Sequence, residues 1–240
     1  MFKECFWFPA PEDFVLLPNE VHIWRANLNI SSSTIIQLRE TLSVDEEQRA
    51  DRFHFERDRV HFIAARGILR TLLAQYLKTS APHLQFIYSA RGKPSLKDSK
   101  ITFNLSHSHG LALYAITLSQ KVGIDLEYMR DIETTQLAKR FFTPSEYNTL
   151  ISLPIQQQKM AFFQFWTAKE AYLKATGDGL VGLQNVEFSL SLDKPISLFK
   201  IAGKTVESWS IQQFIPQLNY MATVAIETKA GDIKFWEWSN

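Results

Sequence analysis

A chain of 240 residues that is 45% apolar and 13% aromatic can bury a substantial core, in one large domain or two small ones. Its 26 basic and 25 acidic side chains leave a net charge of +1, which argues against a nucleic-acid field and against a polybasic membrane anchor. The lone cysteine, Cys5, excludes an intrachain disulfide and a multi-cysteine zinc site, and it fits a reducing compartment.

The first residues, Met1 to Pro9, carry an acid and lack the apolar run of a signal peptide. Two uncharged stretches, Ile101–Gln120 and Ser208–Ile226, are broken by Asn, Ser, His, Gln or Pro, so neither reads as a membrane span. A cytoplasmic protein is the expectation.

Alternation predicts a strand over Val21–Leu28. The cluster Ser31–Thr34 caps a short helix expected over Ile35–Leu42. Ser43-Val-Asp-Glu46 has capping-box spacing and opens one arginine-rich helix carrying Arg49, Arg52, Arg57, Arg59, Arg66 and Arg70. Glu46, Glu47, Asp51, Glu56 and Asp58 interleave with them, so this is no nucleic-acid stripe. Arg66 falls in the apolar part of that helix and needs an anionic partner, a structural salt bridge being the plain possibility. Leu84–Tyr88 reads as a strand, and the turn at Gly92-Lys93-Pro94 holds Lys93 on a tight loop.

Ile101–Leu105 alternates as a strand, then runs into Ser106-His107-Ser108-His109-Gly110 before a second strand, Leu111–Leu118. The two histidines could chelate a metal, while a Ser-His pair can instead offer donors to an oxyanion such as phosphate. In Val122-Gly-Ile-Asp-Leu-Glu127 the apolar residues share one strand face, and Gly123, Asp125 and Glu127 share the other. Acids at i and i+2 lie about 7 Å apart at the backbone, so both can reach one hard cation; solvated acids on an edge strand are the plain alternative. A helix follows over Asp131–Arg140, and another opens at Thr143 as N-cap with Pro144 at its first position.

Phe162, Trp166, Lys169 and Leu173 recur with the period of one helical face, and Gly177 and Gly179 end that helix. Glu170 and Lys174 are four apart on a bordering face, the spacing of a simple ion pair. Strands are expected from Val186, from Trp209 and over Tyr220–Ile226, as a sheet closing the fold. A faint repeat aligns Ala65-Arg66-Gly with Ala168-Lys169-Glu, and Leu84–Pro94 with Val186–Pro195. It implies two similar halves with a ligand cleft at their seam.

The motifs Gly92-Lys93-Pro94, Phe103-Asn-Leu-Ser106-His107-Ser, Gly123-Ile-Asp125-Leu-Glu127 and Phe165-Trp166-Thr-Ala-Lys169-Glu170-Ala-Tyr-Leu-Lys174 resemble, in this order, the 4′-phosphopantetheinyl transferases of the Sfp type. The resemblance implies an α+β fold of two similar subdomains forming a pseudo-dimer, residues 1–119 and 120–240. It implies transfer of 4′-phosphopantetheine from coenzyme A to a serine of an acyl or peptidyl carrier protein, with release of 3′,5′-ADP. It also implies that Asp125, Glu127 and Glu170 hold Mg²⁺, and that Lys93, Ser106, His107 and Lys174 contact the coenzyme A phosphates. Glu170 and Lys174 would be catalytic, and Arg49, Arg52 and Arg66 would be candidates for the 3′-phosphate. Because one duplicated chain supplies both walls of the cleft, a monomer is expected.

Rival chemistries fit less well. There is no G-x-x-x-x-G-K-[ST] for a P-loop enzyme. A two-carboxylate glycosidase would leave the Lys and Ser-His elements without a purpose. A non-catalytic module that only binds carrier proteins is the alternative from another class.

Overall fold

The computed structural model describes residues 5–11, 13–191, 194–201, 204–205, 209–227 and 231–239. Residues 1–4, part of the leading stretch, and Leu192–Asp193, part of the second repeat stretch, lie outside them. The first part of the chain forms β1 (Phe8–Pro9), β2 (Val21–Asn27), α1 (Ser32–Arg39), α2 (Val44–Ala50) and α3 (Glu56–Leu77). Then come β3 (Phe86–Tyr88), β4 (Pro94–Leu96), β5 (Ile101–Ser108) and β6 (Leu111–Leu118). The second part forms β7 (Val122–Tyr128), α4 (Thr134–Phe141), α5 (Pro144–Ser152) and α6 (Ile155–Thr176). It continues through β8 (Val186–Ser191), β9 (Lys194–Ile201), β10 (Lys204–Thr205), β11 (Ser210–Phe214), β12 (Tyr220–Ile226) and β13 (Ile233–Glu237).

This is an α+β fold of two subdomains. In the first, α3 packs on a five-stranded sheet of order β1-β13-β2-β6-β5, and Ile68, Leu69, Leu72 and Leu73 meet Trp24, Phe103 and Tyr114. In the second, α6 covers the sheet β11-β12-β7, and its Phe162, Phe165 and Leu173 join a core with Met221 and Ala225. The inner faces of β2, β6, β7 and β12 share a third cluster, with Ile23, Leu113, Ile124 and Val224 at its centre. The chain passes from the first sheet to the second in the turn between β6 and β7, and β13 crosses back to pair in parallel with β2.

The expected arginine-rich helix is two helices, broken at residues 51–55. One straight helix would place residues 46 and 66 about 30 Å apart. The break folds α2 back, so that Glu46 caps it through the Ser43 amide (3.0 Å) and also accepts from Arg66 and from Arg70 Nε (2.5 Å). The first helix begins three residues earlier than expected, capped by Ser31.

The second subdomain repeats the first arrangement. Glu146 closes a capping box with Thr143 and is bound by Lys169 from the long helix at 2.6 and 2.9 Å. Arg66 and Lys169, aligned by the sequence repeat, therefore do the same work in the two halves. Each anchors its long helix to the capping carboxylate of the short helix before it.

Candidate functional site

Strand β5 does not end at Leu105, as its sequence suggested, but runs through Ser108. The reversal is made by His109 and Gly110 alone, both with positive φ (47° and 84°), as a two-residue hairpin requires. Ser106 and Ser108 therefore lie in the strand, on one side of it, and His107 lies on the other.

That side of β5 faces the free edge of β7. The amides of Ile124, Leu126 and Tyr128 donate to Asn104 Oδ1 (2.8 Å), Ser106 Oγ (3.2 Å) and Ser108 Oγ (3.2 Å). The acids are thus not on a solvated edge: Asp125 is 3% exposed. The acid-bearing face of β7 meets α6 so closely that a Cβ on Gly123 would lie 2.0 Å from the Ala171 carbonyl oxygen. With Gly123 as the contact point, Glu170 and Lys174 stand beside Asp125.

Lys174 Nζ donates to Asp125 Oδ1 (2.6 Å) and to Ser106 Oγ (2.9 Å), while Ser106 Oγ donates to the same carboxylate oxygen (3.1 Å). Lys174 is therefore tied across the seam to β7, not along its own helix to Glu170 as the spacing suggested. The other oxygen, Asp125 Oδ2, is buried with no hydrogen-bond partner. Burial and the charge of Asp125 push Glu127 above the usual carboxylate range. Burial first, then Asp125 and Glu127, raise Glu170 to about 7 against the pull of Lys174. The carboxylate of Asp125 beside the raised Glu127 and Glu170 makes a pocket of negative potential with Lys174 at its side.

Two more predicted residues border the seam. Lys93 Nζ donates to the Ala175 carbonyl (2.7 Å), in the last turn of α6, and burial brings it down to about 8. A cavity of about 180 Å³ opens beside it, lined by Ser89, Lys93, Thr102, Phe103, Thr176 and Gly177. His107 is exposed to water, yet crowding by protein, Lys174 and His61 all pull it below the ordinary imidazole value, as on the wall of a concave surface.

Residues 121–225 match the model of the 4′-phosphopantetheinyl transferase superfamily, and residues 26–119 match that of the 4′-phosphopantetheinyl transferase N-terminal domain. The 4′-phosphopantetheinyl transferase HetI of Nostoc sp. is 45% identical over 239 residues, covering 97% of this chain and 98% of the relative. This chain belongs to the 4′-phosphopantetheinyl transferase superfamily. The human L-aminoadipate-semialdehyde dehydrogenase-phosphopantetheinyl transferase is 30% identical, over 80% of this chain and 69% of that one. The transferase Sfp of Bacillus subtilis is 28% identical, over 65% and 70%. A crystal structure of a holo-(acyl-carrier-protein) synthase from Bacillus anthracis in complex with CoA (3′,5′-ADP) aligns with 45% of this chain at a TM-score of 0.36 and 23% identity.

In this transferase the three predicted arginines stand apart from the anionic pocket. Arg66 is committed to Glu46 and to the Tyr88 hydroxyl (2.6 Å). Arg49 is exposed, with its guanidinium 5.3 Å from the centre of the Phe62 ring. Arg52 is exposed, with no ion-pair partner among the described residues. The sequence reading passed over Asn104, Ser108 and His61. Only the period-two recurrence Asn104, Ser106, Ser108 hinted that the polar residues of β5 act as a set.

Whether a divalent cation fits can be judged from the donors. Among the described residues no three His, Cys, Asp or Glu side chains already form a closed metal cage. Magnesium needs none, because it binds one or two carboxylates and takes its remaining oxygens from water and phosphate. The partnerless Asp125 Oδ2, with the raised Glu127 and Glu170 beside it, suits that open, all-oxygen chemistry.

Proposed function

We propose that this chain moves the 4′-phosphopantetheine group of coenzyme A to the serine hydroxyl of an acyl or peptidyl carrier protein, releasing 3′,5′-ADP. The observation that carries the reading is Asp125. Its buried, partnerless oxygen lies where β5, β7 and α6 meet, next to two further acids and one lysine. Acids so placed would repel a diphosphate, and Mg²⁺ bound by Asp125, Glu127 and Glu170 would neutralise both the acids and the phosphate oxygens.

The remaining chemistry falls to the chain. The carrier serine oxygen forms a bond to the phosphorus that bears the pantetheine, and the bond from that phosphorus to the oxygen of 3′,5′-ADP breaks. The serine proton would pass to the carboxylate of Glu170, which borders the same pocket. Lys174, held by Asp125 and Ser106, presents its ammonium beside the diphosphate and offsets charge building on the leaving group. Lys93 and His107 line the approach for the phosphates, while Arg49 and Arg52 are exposed cations available to the 3′-phosphate. Arg66 is the weakest of the three arginines for that role, being already paired. The same reading takes the protein as a cytoplasmic monomer, both walls of the seam coming from one chain; no helix among the described residues is long and apolar enough to cross a membrane.

The test is incubation of the protein with an apo carrier protein, coenzyme A and Mg²⁺, followed by weighing the carrier. A carrier that gains one phosphopantetheine with the wild type, and none with a folded Asp125→Ala variant, is the expected result. Full transfer by Asp125→Ala in excess Mg²⁺ would remove the site assignment. An unchanged carrier mass across several carriers would leave a binding module instead.

A further inference from the structure

The seam between the subdomains is built in an unusual way. Strand β5 is the edge of one sheet and β7 the edge of the other, and no backbone hydrogen bond joins them. Side chains replace the missing carbonyls. Asn104, Ser106 and Ser108 accept from the amides of residues 124, 126 and 128, a constant offset of 20, so the two strands run parallel in register. An exposed edge is thereby satisfied without fusing the sheets.

The serines do a second thing, twice over. Ser106 Oγ accepts from Leu126 and donates to Asp125; Ser108 Oγ accepts from Tyr128 and donates to Glu127 Oε2 (3.3 Å). Each hydroxyl couples the position of the β7 backbone to the orientation of the carboxylate one residue earlier. Asn104 carries no such carboxylate, because its counterpart is Gly123, where α6 packs. It fixes the register at the start of the ladder.

We propose that Asn104 and Ser108 are positioning residues of the transferase: with Ser106 they form a side-chain ladder that aims the carboxylates of Asp125 and Glu127 at one cation. The inference rests on the proposed use of those acids. It accounts for the polar residues falling at alternate places along β5, and it assigns Ser108 to Glu127 as Ser106 is assigned to Asp125.

The test reads cation binding directly. Bound and free Mn²⁺ are measured by electron paramagnetic resonance with the full-length protein and saturating coenzyme A, without carrier. Loss of a hydrogen-bonding partner behind a metal ligand costs about 10- to 100-fold in affinity. Ser108→Ala is expected to weaken Mn²⁺ about tenfold, with the melting temperature near wild type, and Ser108→Thr is expected to restore binding. Should Ser108→Ala fail to fold, Ser108→Cys keeps the size with a poorer donor and is expected to show the same weakening. Asn104→Ala is expected to weaken binding as well, through register. Wild-type Mn²⁺ affinity in a folded Ser108→Ala or Ser108→Cys, while Asp125→Ala loses the ion, would overturn the ladder alone. Undiminished binding in Asp125→Ala would overturn the site reading beneath it.

Discussion

Two neighbours on α6 show how one residue of separation divides structure from chemistry. Lys169 is wholly buried, held by both oxygens of Glu146 and by the Val186 carbonyl (2.6 Å). Burial pulls its pKa down and Glu146 pulls it back up. Glu146 is saturated in turn, accepting from the Thr143 and Phe188 amides. Removing one member strands the other, so Lys169→Met is expected to cost about 3–5 kcal/mol in urea unfolding. Glu170, about 100° further round the helix, faces the acids of β7 and sits near 7. Its folded pKa lies above its unfolded value of 4.5, so the folded state holds the proton more tightly. Its contribution is therefore fully present below about pH 4.5 and is lost as pH rises through 7, up to ~3 kcal/mol. In EDTA, the stability difference between wild type and Glu170→Gln should fall from pH 5 to pH 8 and then flatten. Added Mg²⁺ should recover stability for the wild type at pH 8, and a difference independent of pH would contradict the elevated carboxyl.

The contact of α6 with β7 decides whether Glu170 and Lys174 reach Asp125 at all. An added Cβ at Gly123 would meet backbone, the Ala171 oxygen at 2.0 Å and the Ala175 nitrogen at 2.4 Å, and backbone cannot rotate away as a side chain can. Gly123→Ala is thus expected to destabilise by about 3 kcal/mol and to cut transfer more than stability alone explains, checked by thermal melting and the carrier-mass assay. The sequence already carried much at this scale. Period-two alternation placed β2, the start of β5 and β7, capping-box spacing placed the start of α2, and Thr143 with Pro144 placed the start of α5. Those signals are local, each read within a few residues. What it did not carry is non-local: the break at residues 51–55 is imposed by Arg66 and Arg70 calling Glu46 inward. Likewise Glu146 and Lys169 are 23 positions apart, and the ladder from β5 to β7 spans 20. The motif residues Ser106, Asp125, Glu170 and Lys174 could be singled out by resemblance, but the transfer of Lys174 from Glu170 to Asp125 follows only from packing.

At the scale of the whole molecule the two subdomains are held together by more than the seam. Strand β13 leaves the second half, enters the first sheet between β1 and β2, and is parallel to both. Phe235 packs edge-on against Trp7 and Phe214, so an aromatic cluster bridges the halves at that point. Arg25 of β2 binds Glu237 at 2.5 Å and the Pro216 carbonyl at 2.6 Å, and accepts on its own carbonyl from the Trp238 amide. Ending the chain after Asp232 would strip β2 of this partner, leave β1 with nothing to pair on, and expose an apolar edge that can recruit another chain. Loss of the buried Phe235 alone is worth about 3–5 kcal/mol. The shortened protein is therefore expected to melt on the order of 10 °C lower and to run in light scattering as larger species than the full chain. A shortened chain that runs no larger than the full one with an unchanged melting point would mean that β13 is an ornament of the first sheet and not the tie that closes the two halves.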